Sequence, residues 1–230
     1  MAENGGFTVW LTGMLGAGKT TLAEYLAARL RQVGRNVEVL DEEELSDDLW
    51  KEIQNDAKED RLAIGRRLGF VAELCTRNGV CTLVACTSPY KVVRDEARRR
   101  IGRYIEVYVD CPTEKLIQRD TTGRYKKALQ GEIPNFVGIT EPYEPPTSAE
   151  VTIKSDSETV EQGALRIFQA LLDLRYVTAE ELKIITGTRM KPQKPSKSAR
   201  RPAKGARKAP AARAARISKP KSKAHKPKRR

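Results

Sequence analysis

The sequence predicts an α/β fold, with a five-stranded parallel sheet flanked by helices and a disordered basic tail behind it. Three observations predict this. Apolar runs of strand length alternate with amphipathic helical patterns along most of the chain, the signature of a parallel sheet with crossover helices. A glycine-rich stretch joins the first run to the first helix. The charge is also split: of 43 Lys and Arg residues, 18 fall from Arg189 onward, where there is no Asp or Glu. Subtracting those 18 leaves 25 basic against 30 acidic residues up to Thr188, a net of −5 within a chain whose total is +13. The 230 residues therefore divide into a domain at 1–188 and a tail at 189–230.

The elements follow in order. "FTVWLT" (7–12) reads as the first strand, and "TTLAEYLAARLRQVG" places Leu22, Leu26 and Leu30 on one helical face with Gly34 as the stop. "NVEVLD" (36–41) is the second strand. Ser46 suits the N-cap of a short acidic helix, and a longer helix runs over about 57–77 to the "NG" that ends it. "VCTLVACT" (80–87) is apolar or β-branched almost throughout, as a strand buried on both faces requires. "SPYKVVRDEARRRIG" offers Ser88 as N-cap, Pro89 in the first turn and Gly102 at the end. "YIEVYVD" (104–110) and "EVTIKS" (150–155) complete five strands. A final amphipathic helix covers about 158–174, with Ser155 and Glu158 as its capping box, and "TAEELKIITG" (178–187) is a short capped helix. Between strands four and five lies "RDTTGRYKKALQGEIPNFVGITEPYEPPTS", longer than a connection needs and so expected to be a lid or binding loop.

Composition excludes several classes. The N-terminus lacks the basic start, apolar core and cleavage site of a signal peptide, and no apolar run reaches the roughly 18 residues that span a bilayer. A cytoplasmic protein without a membrane partner is expected. Cys75, Cys81, Cys86 and Cys111 form no CxxC pair and the lone His225 lies in the tail, which argues against Cys/His metal ligation and for reduced thiols.

The stretch Gly13-Met14-Leu15-Gly16-Ala17-Gly18-Lys19-Thr20 fits GxxxxGK[ST], the phosphate-binding (P-loop) pattern, and Thr21 continues it into the helix. Each part has a task. The glycines let backbone N–H groups turn inward around a phosphate, Lys19 reaches β- and γ-oxygens, and the Thr20 hydroxyl ligates Mg²⁺. The helix that follows aims its positive dipole end at the same anion. A position between strand and helix is the context that separates this motif from a chance glycine-rich turn. The expected fold is therefore that of the P-loop NTPases. "LDEEE" brings a carboxylate to the end of the second strand, no guanine-reading "NKxD" is evident, and a compact body with a basic lid favours a small-molecule kinase that must exclude water.

At this point the sequence resembles the adenylylsulfate (APS) kinase family, whose members transfer a phosphoryl group from ATP to the 3′-hydroxyl of adenosine 5′-phosphosulfate, giving PAPS. The resemblance spans about residues 5–175. It is carried by "VWLTGMLGAGKTTLA", "VEVLD", "RRLGFVAEL", "SPYKVVRDEARRRIG", "IEVYVDCP" and above all "GRYKKALQGEIPNFVGITEPYEPP". It implies ATP and Mg²⁺ as cofactors and a role in sulfate activation. It also implies site residues. Asp41 matches the first aspartate of the family's DGDNxR and Glu43 stands at its second, either able to hold Mg²⁺ or take the acceptor's proton. Ser88 matches a serine that is a phosphoserine intermediate in some members, although serine before proline equally reads as an N-cap. Lys127, with Gly123, Tyr125 and Lys126, keeps most of the lid's "KGLYxKA" and would neutralise developing phosphate charge. Arg119 resembles the residue flanking the ATP adenine, while Arg61 and Phe136 match acceptor contacts, beside the paired Arg66 and Arg67.

The acceptor half also departs from the family. Glu44 and Ser46 replace the asparagine and arginine of DGDNxR, Asp56 falls where an aromatic sandwiches the APS adenine, Ile64 replaces an asparagine, and Thr122 a lysine. Three readings stay open: a divergent APS kinase with compensating contacts, a kinase for another nucleotide-linked or small acceptor, and an ATP-binding module without turnover. A homodimer stays open as well. The tail of Lys, Arg, Pro, Ala and Ser has too few large apolar residues for a core. It is expected to bind nucleic acid or another polyanion nonspecifically through counterion release, a functionless extension being the alternative.

Overall fold

The computed structural model describes residues 5–53 and 57–187, so the predicted tail and Asp56 lie outside the described residues. The elements are β1 (Phe7–Thr12), α1 (Lys19–Gln32), β2 (Val37–Asp41), α2 (Ser46–Leu49), α3 (Lys58–Arg77), β3 (Cys81–Ala85) and α4 (Lys91–Ile101). They continue with β4 (Tyr104–Asp110), α5 (Thr113–Arg119), α6 (Arg124–Leu129), β5 (Val151–Lys154), α7 (Val160–Asp173) and α8 (Ala179–Thr186). All five strands are parallel, in the order β2-β3-β1-β4-β5.

Every residue of β1 and β3 is buried, as a parallel sheet covered on both faces demands. One face packs Phe7, Val9, Leu11, Leu83, Ile105 and Val107 against α1 and α7. The other packs Trp10, Leu40 and Val84 against Ile64, Leu68 and Ala72 of α3 and Ala97 of α4. The chain leaves β1 toward β2 and β3, then crosses to β4 and β5. That reversal opens a crevice at the carboxyl ends of β1 and β3, where sheets of this kind hold ligands. Among the described residues no helix is long and apolar enough to cross a membrane.

Four expectations about helices need correction. Ser46 is the first residue of α2 rather than its cap; Leu45 precedes it without a side-chain bond. Ser88 does not cap α4. The cap is Tyr90, and the α4 N-terminus is satisfied from far along the chain, where the Glu144 carboxylate accepts from Lys91 N at 2.6 Å. The capping box of α7 is Thr159 with Gln162, not Ser155 with Glu158. Glu158 instead closes the preceding turn, accepting from Lys154 N at 2.7 Å. Finally, the chain after β4 is not all loop: it forms α5 and α6, short helices inside and just before the predicted lid.

Candidate functional site

The glycine-rich loop is shaped by its neighbours. A Cβ on Gly13 would stand 2.4 Å from the Val109 carbonyl oxygen of β4, so only glycine allows the loop to leave β1 so close to the next strand. Gly18, at φ 100°, occupies the left-handed region and is the N-cap of α1. Lys19 Nζ donates to the Gly13 and Met14 carbonyls, each at 3.0 Å, and so spans the loop's mouth. Burial pushes the Lys19 ammonium below its ordinary pKa, against the opposing pull of Glu42, Cys86, Glu43 and Asp41. The Thr20 hydroxyl donates to Asp41 Oδ2 at 2.6 Å, and Asp41 Oδ1 accepts from Glu43 N at 2.8 Å. Asp41, at the end of β2, is 3% exposed, so both of its oxygens are held in place.

A cleft of about 320 Å³ opens over this loop, lined by Leu15, Gly16, Gly18, Lys19, Thr20 and Thr21 from the motif and by Asp41, Glu42 and Glu43 from the end of β2. Gly13 and Met14 act from behind as acceptors for Lys19, and Ala17 is fully buried. Arg119, at the end of α5, borders this cleft and a third hollow of about 220 Å³ whose walls include Ala17, Leu22, Val109 and Ile153. Its guanidinium donates to the Ser155 carbonyl at 2.7 Å, which pins it beside an apolar slot next to the phosphate loop. A nucleoside base fits that setting.

A second cleft, of about 460 Å³, adjoins the first. Its lining includes Ser46, Trp50, Lys51, Arg61, Phe136 and Val137. Phe136 lies edge-on to Tyr125, ring centres 4.9 Å apart, and the Tyr125 hydroxyl donates to the Leu15 carbonyl at 2.7 Å. The segment expected to form a lid is thus tied directly to the glycine-rich loop. Arg61 donates to the Asn135 carbonyl at 2.5 Å, while its Nη1 is buried without a hydrogen-bond partner. An unpartnered guanidinium nitrogen in a cleft wall favours an anionic occupant.

The structure brings Lys19, Thr20, Asp41, Glu43, Arg61, Arg119 and Phe136 to these two clefts. It does not bring Ser88 there. That residue is 3% exposed at φ 40°, and its hydroxyl accepts from Trp10 Nε1 at 3.1 Å inside the core. Lys127 is exposed and lines neither cleft. Arg66 and Arg67 also point elsewhere, to Glu96 and Glu52. Ile64 faces the core beside Trp50, so that departure is absorbed by packing. Sequence reasoning missed Arg124, Thr87 and Trp50 as lining residues. Arg124 is three residues before Lys127 on α6, and helical spacing was the available signal.

With this geometry in view, relatives decide the family. Residues 5–154 match the family described as adenylylsulphate kinase. The chain belongs to the adenylylsulphate kinase family. An adenylyl-sulfate kinase of Rippkaea orientalis is 47% identical over 172 residues, 75% of this chain and 94% of that one. Another, of Picosynechococcus, is 44% identical over 176 residues, covering 76% and 99%. Among solved structures, the Mycobacterium tuberculosis APS kinase in complex with AMPPNP and APS superposes with a TM-score of 0.69 at 32% identity, covering 72% of this chain and 97% of that one. The family is one of ATP-dependent kinases, which accounts for the loop, the buried carboxylate and the paired clefts together.

Proposed function

We propose that this chain transfers the γ-phosphoryl group of ATP to the 3′-hydroxyl of adenosine 5′-phosphosulfate, giving PAPS and ADP. One observation carries the reading: two clefts meet edge to edge, and Leu15, Glu42, Glu43, Thr87 and Arg124 line both. A nucleoside triphosphate over the loop and an acceptor near Arg61 and Phe136 would then face each other across that seam. In the transfer the bond from the γ-phosphorus to its bridging oxygen breaks, ADP keeps the electron pair, and a bond to the acceptor oxygen forms.

The residues divide this work. Lys19 holds β- and γ-oxygens, and Arg119 flanks the ATP base. Thr20 and Asp41 fit Mg²⁺, since hydroxyl and carboxylate oxygens 2.6 Å apart are hard donors. Among the described residues no group of three or more His, Cys, Asp or Glu is placed to hold a metal alone. That suits an ion bound by one or two protein oxygens plus phosphates. Held there, Mg²⁺ would supply positive charge that offsets the charge of the phosphates. Asp41 lines only the first cleft, whereas Glu42 and Glu43 line both; Glu42 is held by the Thr87 amide at 2.6 Å, so Glu43 is the carboxylate assigned to take the acceptor's proton. Arg61 offers its unpartnered nitrogen to the acceptor's anionic end, and Phe136 a face or edge to its base.

The test is incubation of the full chain with ATP, Mg²⁺ and a panel of hydroxyl acceptors including APS, with labelled product resolved. Labelled PAPS is expected. Transfer to a different acceptor alone would overturn the assignment of APS, and no labelled product from any acceptor would overturn the kinase reading.

A further inference from the structure

The seam between the clefts holds one cation among the described residues. Lys19 and Arg119 line only the first cleft, and Lys51 and Arg61 only the second. Arg124 lines both. It opens α6, whose position is fixed from three sides. Gly123 caps it at φ 71°, the Asp120 carboxylate accepts from Tyr125 N at 2.7 Å, and the Tyr125 hydroxyl reaches the loop at Leu15. The backbone carrying Arg124 is thus anchored to the phosphate loop itself.

The side chain is not anchored in the same way. Its ion pair is with Glu43 at 3.9 Å, the two side chains being 50% and 67% exposed. A long pair in contact with water is worth little, so releasing it costs little. A phosphoryl group crossing the seam spreads negative charge over its equatorial oxygens, and a planar guanidinium matches that array with two parallel N–H donors.

We propose that Arg124 is a catalytic residue of this kinase, leaving Glu43 to bind the phosphoryl group in transit. The inference rests on the kinase reading above. Arg124 changes no bond; it donates hydrogen bonds that strengthen as charge develops on the transferring group, and its departure frees Glu43 for the acceptor's proton. Effects of this kind show in kcat rather than in ground-state binding.

The experiment compares the full chain with Arg124→Leu and Arg124→Lys. Two quantities are read: kcat for PAPS formation, and the ratio of affinities for ADP with aluminium fluoride and Mg²⁺ over AMPPNP with Mg²⁺. For Arg124→Leu, kcat falls about tenfold or more and the preference for the aluminium fluoride complex shrinks by a similar factor. AMPPNP affinity stays within about twofold of the unmodified chain, and Arg124→Lys recovers part of both losses. Unchanged kcat and ratio would overturn the proposal, and so would an equal loss of AMPPNP binding, which would make Arg124 an ordinary ATP ligand. The affinity ratio needs no turnover of APS, so it judges Arg124 even if the acceptor proves to be another hydroxyl. Absence of PAPS from the unmodified chain would instead count against the acceptor alone.

Discussion

Gly13 and Lys19 are joined by a hydrogen bond, Lys19 Nζ donating to the Gly13 carbonyl, yet they fail differently when replaced. Lys19→Ala removes a cation that donates to two loop carbonyls. Charge-assisted bonds to phosphate are worth about 1.5–3 kcal/mol each, so ATP affinity should fall by about a hundredfold in calorimetry while the melting temperature barely moves. Gly13→Ala forces a methyl against the Val109 carbonyl oxygen at 2.4 Å, a backbone atom that cannot swing aside. It should lose ATP binding and melt several degrees lower together, and a binding loss with an unchanged melting temperature would show the loop absorbing the methyl. At this scale the loop residues that line the first cleft were legible, because GxxxxGK[ST] specifies the backbone conformation of one continuous stretch. Ser88 and Lys127 were not. Ser88 turns on a positive φ toward Trp10, 78 positions away in sequence, and no local pattern reports such a contact.

Strand periods read well because both faces of β1 and β3 are covered, which leaves unbroken apolar runs. Helix starts read poorly wherever a distant residue does the capping, as Glu144 does for α4. The capping boxes of α7 and α8 are local, and even there the rule allowed two registers, Ser155 with Glu158 and Thr159 with Gln162. The lid's helices were hidden by their length, α6 being only six residues long and held by tertiary contacts rather than propensity. Tyr125 supplies the chief of these, joining α6 to Leu15 by its hydroxyl and to Phe136 by its ring. Tyr125→Phe keeps the ring and deletes only the 2.7 Å bond, at a cost of about 1 kcal/mol, or roughly fivefold in an equilibrium. Because the bond links lid to loop, the loss should fall on substrate affinity. The KM for ATP should rise a few-fold with kcat changing less, measured by initial rates. An unchanged KM would mean that ring packing alone seats the helix.

Among the described residues of the domain, a cluster of buried charge lies away from the clefts and ties the far end of the segment before β5 to the sheet. Arg94 of α4 is 1% exposed and meets Glu106 of β4 at 2.7 Å. Its other donors reach the Ser88 carbonyl at 2.5 Å and the Glu144 carbonyl at 2.6 Å. Arg98 extends the cluster to Glu106 at 3.3 Å and to Glu150 at 2.6 Å. One guanidinium thus joins the β3–α4 turn, β4 and the segment leading into β5, which composition and periodicity could not reveal because its members lie far apart in sequence. Glu106→Gln would strip the cluster of its central charge and leave Arg94 buried without a full counterion. Breaking a buried pair in this way costs about 3–5 kcal/mol, and at about 2–4 °C per kcal/mol for a domain of this size the melting temperature should drop by about 6–20 °C in calorimetry. Replacing both partners, Arg94→Met with Glu106→Leu, removes the stranded charge and should recover part of that loss. Recovery should stay incomplete, because the Ser88 and Glu144 carbonyls then lose their donor and the lid loses a tie to the sheet. A double variant as stable as the unmodified chain would mean that the network is replaceable packing. One less stable than Glu106→Gln would mean that Arg94 serves the carbonyls more than it serves the carboxylate.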